Sequence, residues 1–569
     1  MGEATAFYYC RLATIFKLPE SPPRFPSPRR LGHRAPLLWL ILPWLAGLAA
    51  GPSLAPLHPP WLLAAAAGAG VSSLVAAIWF PRVWAPSLIG AVSLAGAAQS
   101  ALRQPYRDPW ANRPPREVRL TLRLDRVAPP KAGRQASGLG TVLADDRRGH
   151  PLVGQRLYFT LFLRRGQAPP VRSAVIAAAG VLRSVPAHPP ADSFEGYLAG
   201  LGVHFQLAPA WLRREVAPAG AYPRFCEQLA RRMDALLRRG LESRPPLSAV
   251  YRAMMLGRKG DLQDTQKEQF MHSGTMHLFA INGLHIGIVA VSLHALLTLL
   301  RCPRALRAAV VLAILWLDVD STGATPSAVR AWIMVAALEC ASVLNRPGNP
   351  LAALALAAAV DLCARPQDIG SASFQMSYGV VTALLTLGLP LAETLQARFP
   401  AYRFLPEASQ TWRQRCRAGL QHHLLGAGGV GAAAALASAV SGVQYFSVCA
   451  PIGLLANLVL MPLATLVIVA GFGSVMSGLA GIAPLSRLFN YAAGLLLRLI
   501  AALIRAGVTL PGAFVSAHYR ADWIGPAALA ALLGACLAGY AGQWRPERGG
   551  WWPPFLVVAL TLTAGVRYG

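Results

Sequence analysis

Two hydrophobic patterns divide the chain. Long apolar runs fill residues 36–54, 61–80 and 84–102. Others lie near 276–300, 306–318, 328–344, 350–364, 376–393, 428–448, 451–470, 489–508, 523–542 and 553–567. Most approach the ~20 residues a helix needs to cross hydrocarbon, so the pattern predicts about 11–13 spans, with some short runs re-entrant. The run 36–54 has the length of a signal peptide, but two more apolar runs follow it at once, which favours a membrane anchor over a cleaved leader.

Residues 103–215 break this pattern. Val118-Arg119-Leu120-Thr121-Leu122-Arg123-Leu124 alternates with period two, and 156–163 and 175–185 are further strand candidates between Gly and Pro. A small β-barrel of OB type suits this stretch, and such barrels can bind single strands; a β-sandwich fits the pattern nearly as well. Phe225, Leu229, Met233, Leu236 and Leu237 then recur at helical spacing among Arg231, Arg232, Arg238 and Arg239. That pattern suits a helix in the membrane interface or one capping the β-domain.

The expected fold class is therefore a polytopic α-helical membrane protein with an inserted small OB-like β-barrel. Its parts are a tail (1–35), N-terminal membrane helices (36–102), an external β-domain (103–215), interfacial helices (216–272) and a membrane domain (273–569).

Composition supports the membrane assignment: 54% of residues are hydrophobic and 14% charged, against about 25% charged in soluble domains. The net charge is +28, and only four basic residues are lysines, Lys17, Lys131, Lys259 and Lys267. GC-rich codon usage would produce such an arginine excess, and so would phosphate contact through paired guanidinium hydrogen bonds. Part of the charge serves orientation. With the β-domain outside, the stretch 301–307 is inside and basic, 317–325 is outside with Asp318 and Asp320, and 396–423 is inside with Arg398, Arg403, Arg413, Arg415 and Arg417. Residues 1–35 read as a basic, disordered cytoplasmic tail. The side on which the chain ends is open, because 471–485 can be read as crossing or not.

The eight cysteines show no CxxC pair and read as apolar packing residues, so no metal or cofactor is expected. No lysine is followed by Ser or Thr, which excludes a P-loop.

One segment reads Met254-Met255-Leu256-Gly257-Arg258, then His272-Ser273-Gly274-Thr275-Met276-His277-Leu278-Phe279-Ala280-Ile281-Asn282-Gly283-Leu284-His285-Ile286-Gly287. His277, Asn282 and His285 head an apolar run, where polar groups normally face a cavity or a partner. If one helix carried both histidines, ~80° would separate them at 100° per residue, a broad shared face. They suit packing hydrogen bonds, a pathway or, less readily, a metal, since no carboxylate stands at helical spacing beside them. Four more elements follow or precede: Thr322-Gly323-Ala324-Thr325-Pro326-Ser327-Ala328-Val329-Arg330-Ala331, Ser371-Ala372-Ser373-Phe374-Gln375-Met376-Ser377-Tyr378, residues 451–462 around Asn457, and Ser193-Phe194-Glu195-Gly196-Tyr197-Leu198. Arg330 suits a phosphate contact or snorkelling to the interface, Asn457 a helix-break stabiliser or a ligand.

In this order the elements resemble the signature of the ComEC family of competence proteins, over roughly residues 36–510; Asn282 stands where the family usually has serine. The resemblance implies an inner-membrane channel passing single-stranded DNA during natural transformation, with the N-terminus cytoplasmic. The implied path is His277, Asn282, Gly283, His285, Thr322, Arg330, Gln375, Ser377 and Asn457. On the β-domain, Arg119, Arg123, Arg156, Tyr158 and Phe159 would hold the strand by charge and stacking. The lipid bilayer, a separate DNA receptor, a cytoplasmic ATPase, a separate nuclease and a further copy of the chain are the implied partners. Many family members carry a metallo-β-lactamase-like nuclease domain, whose chemistry needs clustered His and Asp. No HxHxDH occurs, and the chain stops at Gly569 after its last apolar run, so no enzyme activity is expected. Two other readings stay open: a diverged transporter of another anionic solute, or a membrane enzyme using His277 and His285.

Overall fold

The computed structural model describes residues 36–54, 59–80, 83–102, 114–128, 135–145, 152–164, 167–186, 189, 193–279, 283–402, 409–545 and 550–568. The tail expected at 1–35 lies outside the described residues.

Three apolar helices come first: α1 (Leu38–Leu54), α2 (Pro59–Trp79) and α3 (Trp84–Leu102). Small residues let α1 and α3 touch, and a Cβ on Gly47 would collide with the Ser93 carbonyl. Trp44 Nε1 donates to Gln99 Oε1 at 3.0 Å, and Gln99 Nε2 donates to the Leu362 carbonyl at 3.4 Å, tying this unit to the later helices.

The β-domain is a closed barrel. Its strands are β1 (Arg116–Val127), β2 (Gln135–Asp145), β3 (Arg156–Phe162), β4 (Val175–Ser184) and β5 (Phe205–Ala217), in the order β1-β2-β3-β5-β4. β3 and β5 run parallel and the other described pairs antiparallel. The period-two pattern drives closure. Val118, Leu120, Leu122 and Leu124 point inward to meet Phe159, Leu161, Ile176 and Leu207, and the intervening residues face out. A short helix, α4 (Phe194–Gly200), is capped by Ser193 and lies before β5.

Helices α5 (Ala221–Arg238), α6 (Pro245–Leu256) and α7 (Asp264–His272) lead into the membrane domain. Asp234 on α5 gathers three arginines, with Arg238 at 2.9 Å and Arg252 and Arg258 each at 3.3 Å. Their apolar faces do not simply lie on lipid. Met233, Leu237, Tyr251, Met254 and Phe270 share a core with Leu460, Val467 and Leu497 from later helices.

That domain contains α8 (Gly283–Leu299), α9 (Arg304–Ser321), α10 (Pro326–Val343), α11 (Pro350–Ala364), α12 (Ala372–Ala383) and α13 (Leu389–Arg398). α12 and α13 join through a π-turn at Leu384–Gly388 into one rod. Then come α14 (Trp412–Phe446), β6 (Val448–Cys449), α15 (Ile452–Leu479), α16 (Ala483–Val508), β7 (Val515–Tyr519), α17 (Ile524–Ala541), α18 (Trp552–Ala564) and β8 (Val566–Tyr568). Among the described residues, eight helices are long and apolar enough to cross a membrane, and four further apolar helices are shorter. The chain is a multi-pass membrane protein.

One expectation is corrected. The basic stretch 396–423 is not all loop, because Arg413, Arg415 and Arg417 lie on the first two turns of α14. That helix has 35 residues, roughly 52 Å at 1.5 Å per residue, longer than hydrocarbon of about 30 Å; its arginine-bearing start can therefore stand outside the lipid. α15 and α16 pack on each other as a hairpin. β8 pairs with β7, whose neighbour β6 leads into α15 beside Gly274, at the barrel end of the bundle.

Candidate functional site

The motif elements, far apart in sequence, meet in a ring of contacts at that end. The first is the turn after α7. Ser273 Oγ lies 2.7 Å from Thr275 Oγ1, and both residues are buried. Gly274 has φ +68, and a Cβ there would stand 3.4 Å from Ala450 Cβ and 3.5 Å from Gly453 Cα. A left-handed backbone pressed against the start of α15 is why glycine sits there. His272 stacks on Phe514 at 3.8 Å between ring centres.

From this turn the chain enters α8, where a Cβ on Gly283 would lie 3.7 Å from Ala331 Cβ on α10. One residue earlier, Arg330 is 3% exposed. Its guanidinium approaches Asp361 Oδ2 at 3.4 Å and donates to the Ser373 carbonyl and hydroxyl at 2.8 and 3.0 Å, with the Tyr378 ring centre 5.2 Å away. Both sequence readings of Arg330 are corrected. It neither waits for a phosphate nor snorkels, because a charge at this depth requires a counter-charge, and Asp361 supplies it. From the same element, Gln375 Nε2 donates to the Ile369 carbonyl at 3.1 Å, and Gln375 Oε1 accepts from Tyr445 at 2.7 Å. Tyr445 ends α14, which leads through β6 back to Gly453 and closes the ring.

Asn457 lies one turn inside α15; its Oδ1 is buried with no hydrogen-bond partner among the described residues. His285 is buried on the first turn of α8. His277 and His285 do not share one α-helix: Met276–Phe279 is a 3₁₀ turn, and His285 lies on α8. Asn282 and the His277 side chain lie outside the described residues. Thr322 closes α9, its hydroxyl donating to the Asp318 carbonyl at 2.8 Å. Ser377 is half-buried on α12. Farther along, His294 on α8 meets Glu339 on α10 at 3.2 Å, a buried pair that the sequence reading missed. Among the described residues no group of three or more His, Cys, Asp or Glu is placed to hold a metal.

The barrel sits on this end of the bundle. Arg172, just before β4, donates to both oxygens of Asp320 at 2.6 and 2.7 Å. These charged hydrogen bonds hold the Arg172 pKa above its usual value.

Of the expected strand-binding residues, Phe159 is corrected. It is fully buried in the barrel core because it falls on the inward register of β3. Tyr158 is half-buried, with Phe194 edge-on at 5.0 Å. Arg123 leans on Asp125 at 3.6 Å. Arg156 is exposed, two strands from Arg123 with Thr141 between them. On the strands themselves the exposed aromatics are others: Phe162 and Trp211, 40% and 50% exposed, with ring centres 6.3 Å apart. Strand pairing extends their row through Ala179 to exposed Arg119. The sequence signal for them was phase: Phe162 is three residues from Phe159, on the opposite face of the strand.

Comparison with known proteins agrees with the ring. ComE operon protein 3 of Bacillus subtilis (strain 168) is 29% identical over 141 residues, 25% of this chain and 18% of that relative. The chain thus matches under a fifth of the relative's length. No solved structure matches the chain. The family model described as "Competence protein" matches residues 254–543, half of the chain and every element of the ring. The chain therefore belongs to the competence protein family, the ComEC family.

Proposed function

We propose that this protein is an inner-membrane channel that passes single-stranded DNA during natural transformation. The ring of motif elements beneath an OB-type barrel is the observation that carries the reading. On the barrel, the row Phe162–Trp211–Ala179–Arg119 offers stacking surface and positive charge, the two features that hold single strands without reading sequence. The ring is then the mouth the strand enters, with Asn457 Oδ1 offering an acceptor whose hydrogen-bonding capacity is unused among the described residues.

The sidedness follows from charge. The turn at 322–325 lies at the barrel end beside Asp320, whereas Arg304 meets Asn345 at the far end. Positive charge at the far end supports a cytoplasmic location for that end and an external barrel. In this reading a DNA receptor, an ATPase and a nuclease are its partners.

The test is transformation frequency in a deletion strain of the source organism. Wild-type complementation restores it; an unchanged frequency after deletion, in a demonstrably competent strain, removes the reading and favours another anionic solute.

A further inference from the structure

A cavity of about 110 Å³ lies where the barrel meets the bundle, between the end of β1, the segment before β4, α5, the end of α6 and the α9–α10 turn. Three arginines and two carboxylates line it: Arg126, Arg172, Arg258, Glu227 and Asp320. Both carboxylates are already engaged, Asp320 by Arg172 at 2.6 Å and Glu227 by Arg231 at 2.9 Å. Arg258 shares Asp234 with Arg238 and Arg252. Arg126 has no carboxylate at ion-pair distance among the described residues.

Arg126 is half-buried all the same. Burial pushes its guanidinium below the usual pKa; Tyr197 opposes this, and the charge of Arg365 adds to it. A desolvated cation beside other cations is costly unless an anion shares the site. The opposite wall leaves room, since no heavy atom lies within 4 Å of the position a Cβ on Gly323 would take.

We infer that this cavity is a phosphate site that grips one phosphodiester of a single nucleic-acid strand between barrel and bundle, with Arg126 as the principal contact and Arg258 as its neighbour. Guanidinium suits the task because its donors match two phosphate oxygens at once. The inference rests on the strand-conducting reading above and adds a defined contact to it. None of the sequence elements singled out earlier contains Arg126.

The test uses the full-length chain in dodecyl maltoside, a fluorescent oligo-dT, and a salt titration of binding for wild type, Arg126→Gln, Arg126→Lys and Arg258→Gln. Arg304→Gln, at the far end of the bundle, is the control. Arg126→Gln is expected to weaken binding about tenfold at low salt, the scale of one charged hydrogen bond. It is also expected to flatten the log–log salt slope by about 0.7, the value for one contact to a single strand. Arg126→Lys, which keeps the charge but loses the fork, is expected in between, and it carries the test if Arg126→Gln does not fold. Wild-type binding in a folded Arg126→Gln overturns the inference and leaves the channel reading standing. No binding by wild type removes both. Two further readouts separate phosphate sources: phospholipid retained through detergent exchange, and the rise in melting temperature with inorganic phosphate. If Arg126→Gln loses either one while oligo-dT binding is unchanged, the site serves a lipid headgroup or free phosphate and the strand assignment is overturned.

Discussion

On the barrel, Arg119 stands exposed in a row with Trp211; in the bundle, Arg330 is buried between Asp361, Ser373 and Tyr378. Both are arginines in motif-like surroundings, and a charge count treats them alike. Their environments separate them. Within a membrane domain the cost of an unpaired charge forces a partner, so the arginine becomes a tie between helices. On a barrel surface water carries the charge, which leaves the arginine free for a phosphate. The same contrast explains how an excess of positive charge can be structural in one region and functional in the other.

Arg330→Ala strips Asp361 of its buried counter-charge and is expected to cost about 3–5 kcal/mol, read as lost folded protein or a large fall in melting temperature. Replacing both partners, Arg330→Met with Asp361→Leu, should recover most of it; no recovery would mean that the pair does more than hold helices together. Arg172→Ala removes the charged hydrogen bonds joining barrel to bundle, about 1.5–3 kcal/mol. Hydrogen exchange should then rise in residues 167–174 while the barrel strands stay protected. Trp211→Ala should weaken oligo-dT binding by about 1–3 kcal/mol, the worth of one stacked base, with the melting temperature unchanged because the ring is exposed. Tyr445→Phe deletes one hydrogen bond of the ring and is expected to cost about 0.5–1.5 kcal/mol in thermal unfolding. If Tyr445→Phe were as damaging as Arg330→Ala, the distinction between charged ties and neutral ones would fail.

The architecture was legible wherever one local period ruled. Leu120, Leu122 and Leu124 announced a strand with one inward face, and runs such as 84–102 announced membrane helices. Motif order announced the family. What stayed hidden depends on distant pairing. Asp361 in an apolar run gave no sign that it would neutralise Arg330, 31 residues earlier. Tyr445 gave none that it would meet Gln375. That His277 would sit on a 3₁₀ turn and His285 on α8 was not marked by any change in the local pattern, so the rotation between the two histidines was reckoned as for one helix. On the barrel the period was read correctly but the phase was not applied to β3, which placed Phe159 outside and overlooked Phe162.

The most direct measurement is the accumulation of labelled DNA inside competent cells, protected from added nuclease, in a deletion strain carrying wild type or the double variant Arg119→Ala, Trp211→Ala. The account predicts no protected DNA after deletion, full recovery with wild type and a marked deficit with the double variant at normal membrane levels. Protected DNA at wild-type levels in the deletion strain would contradict it.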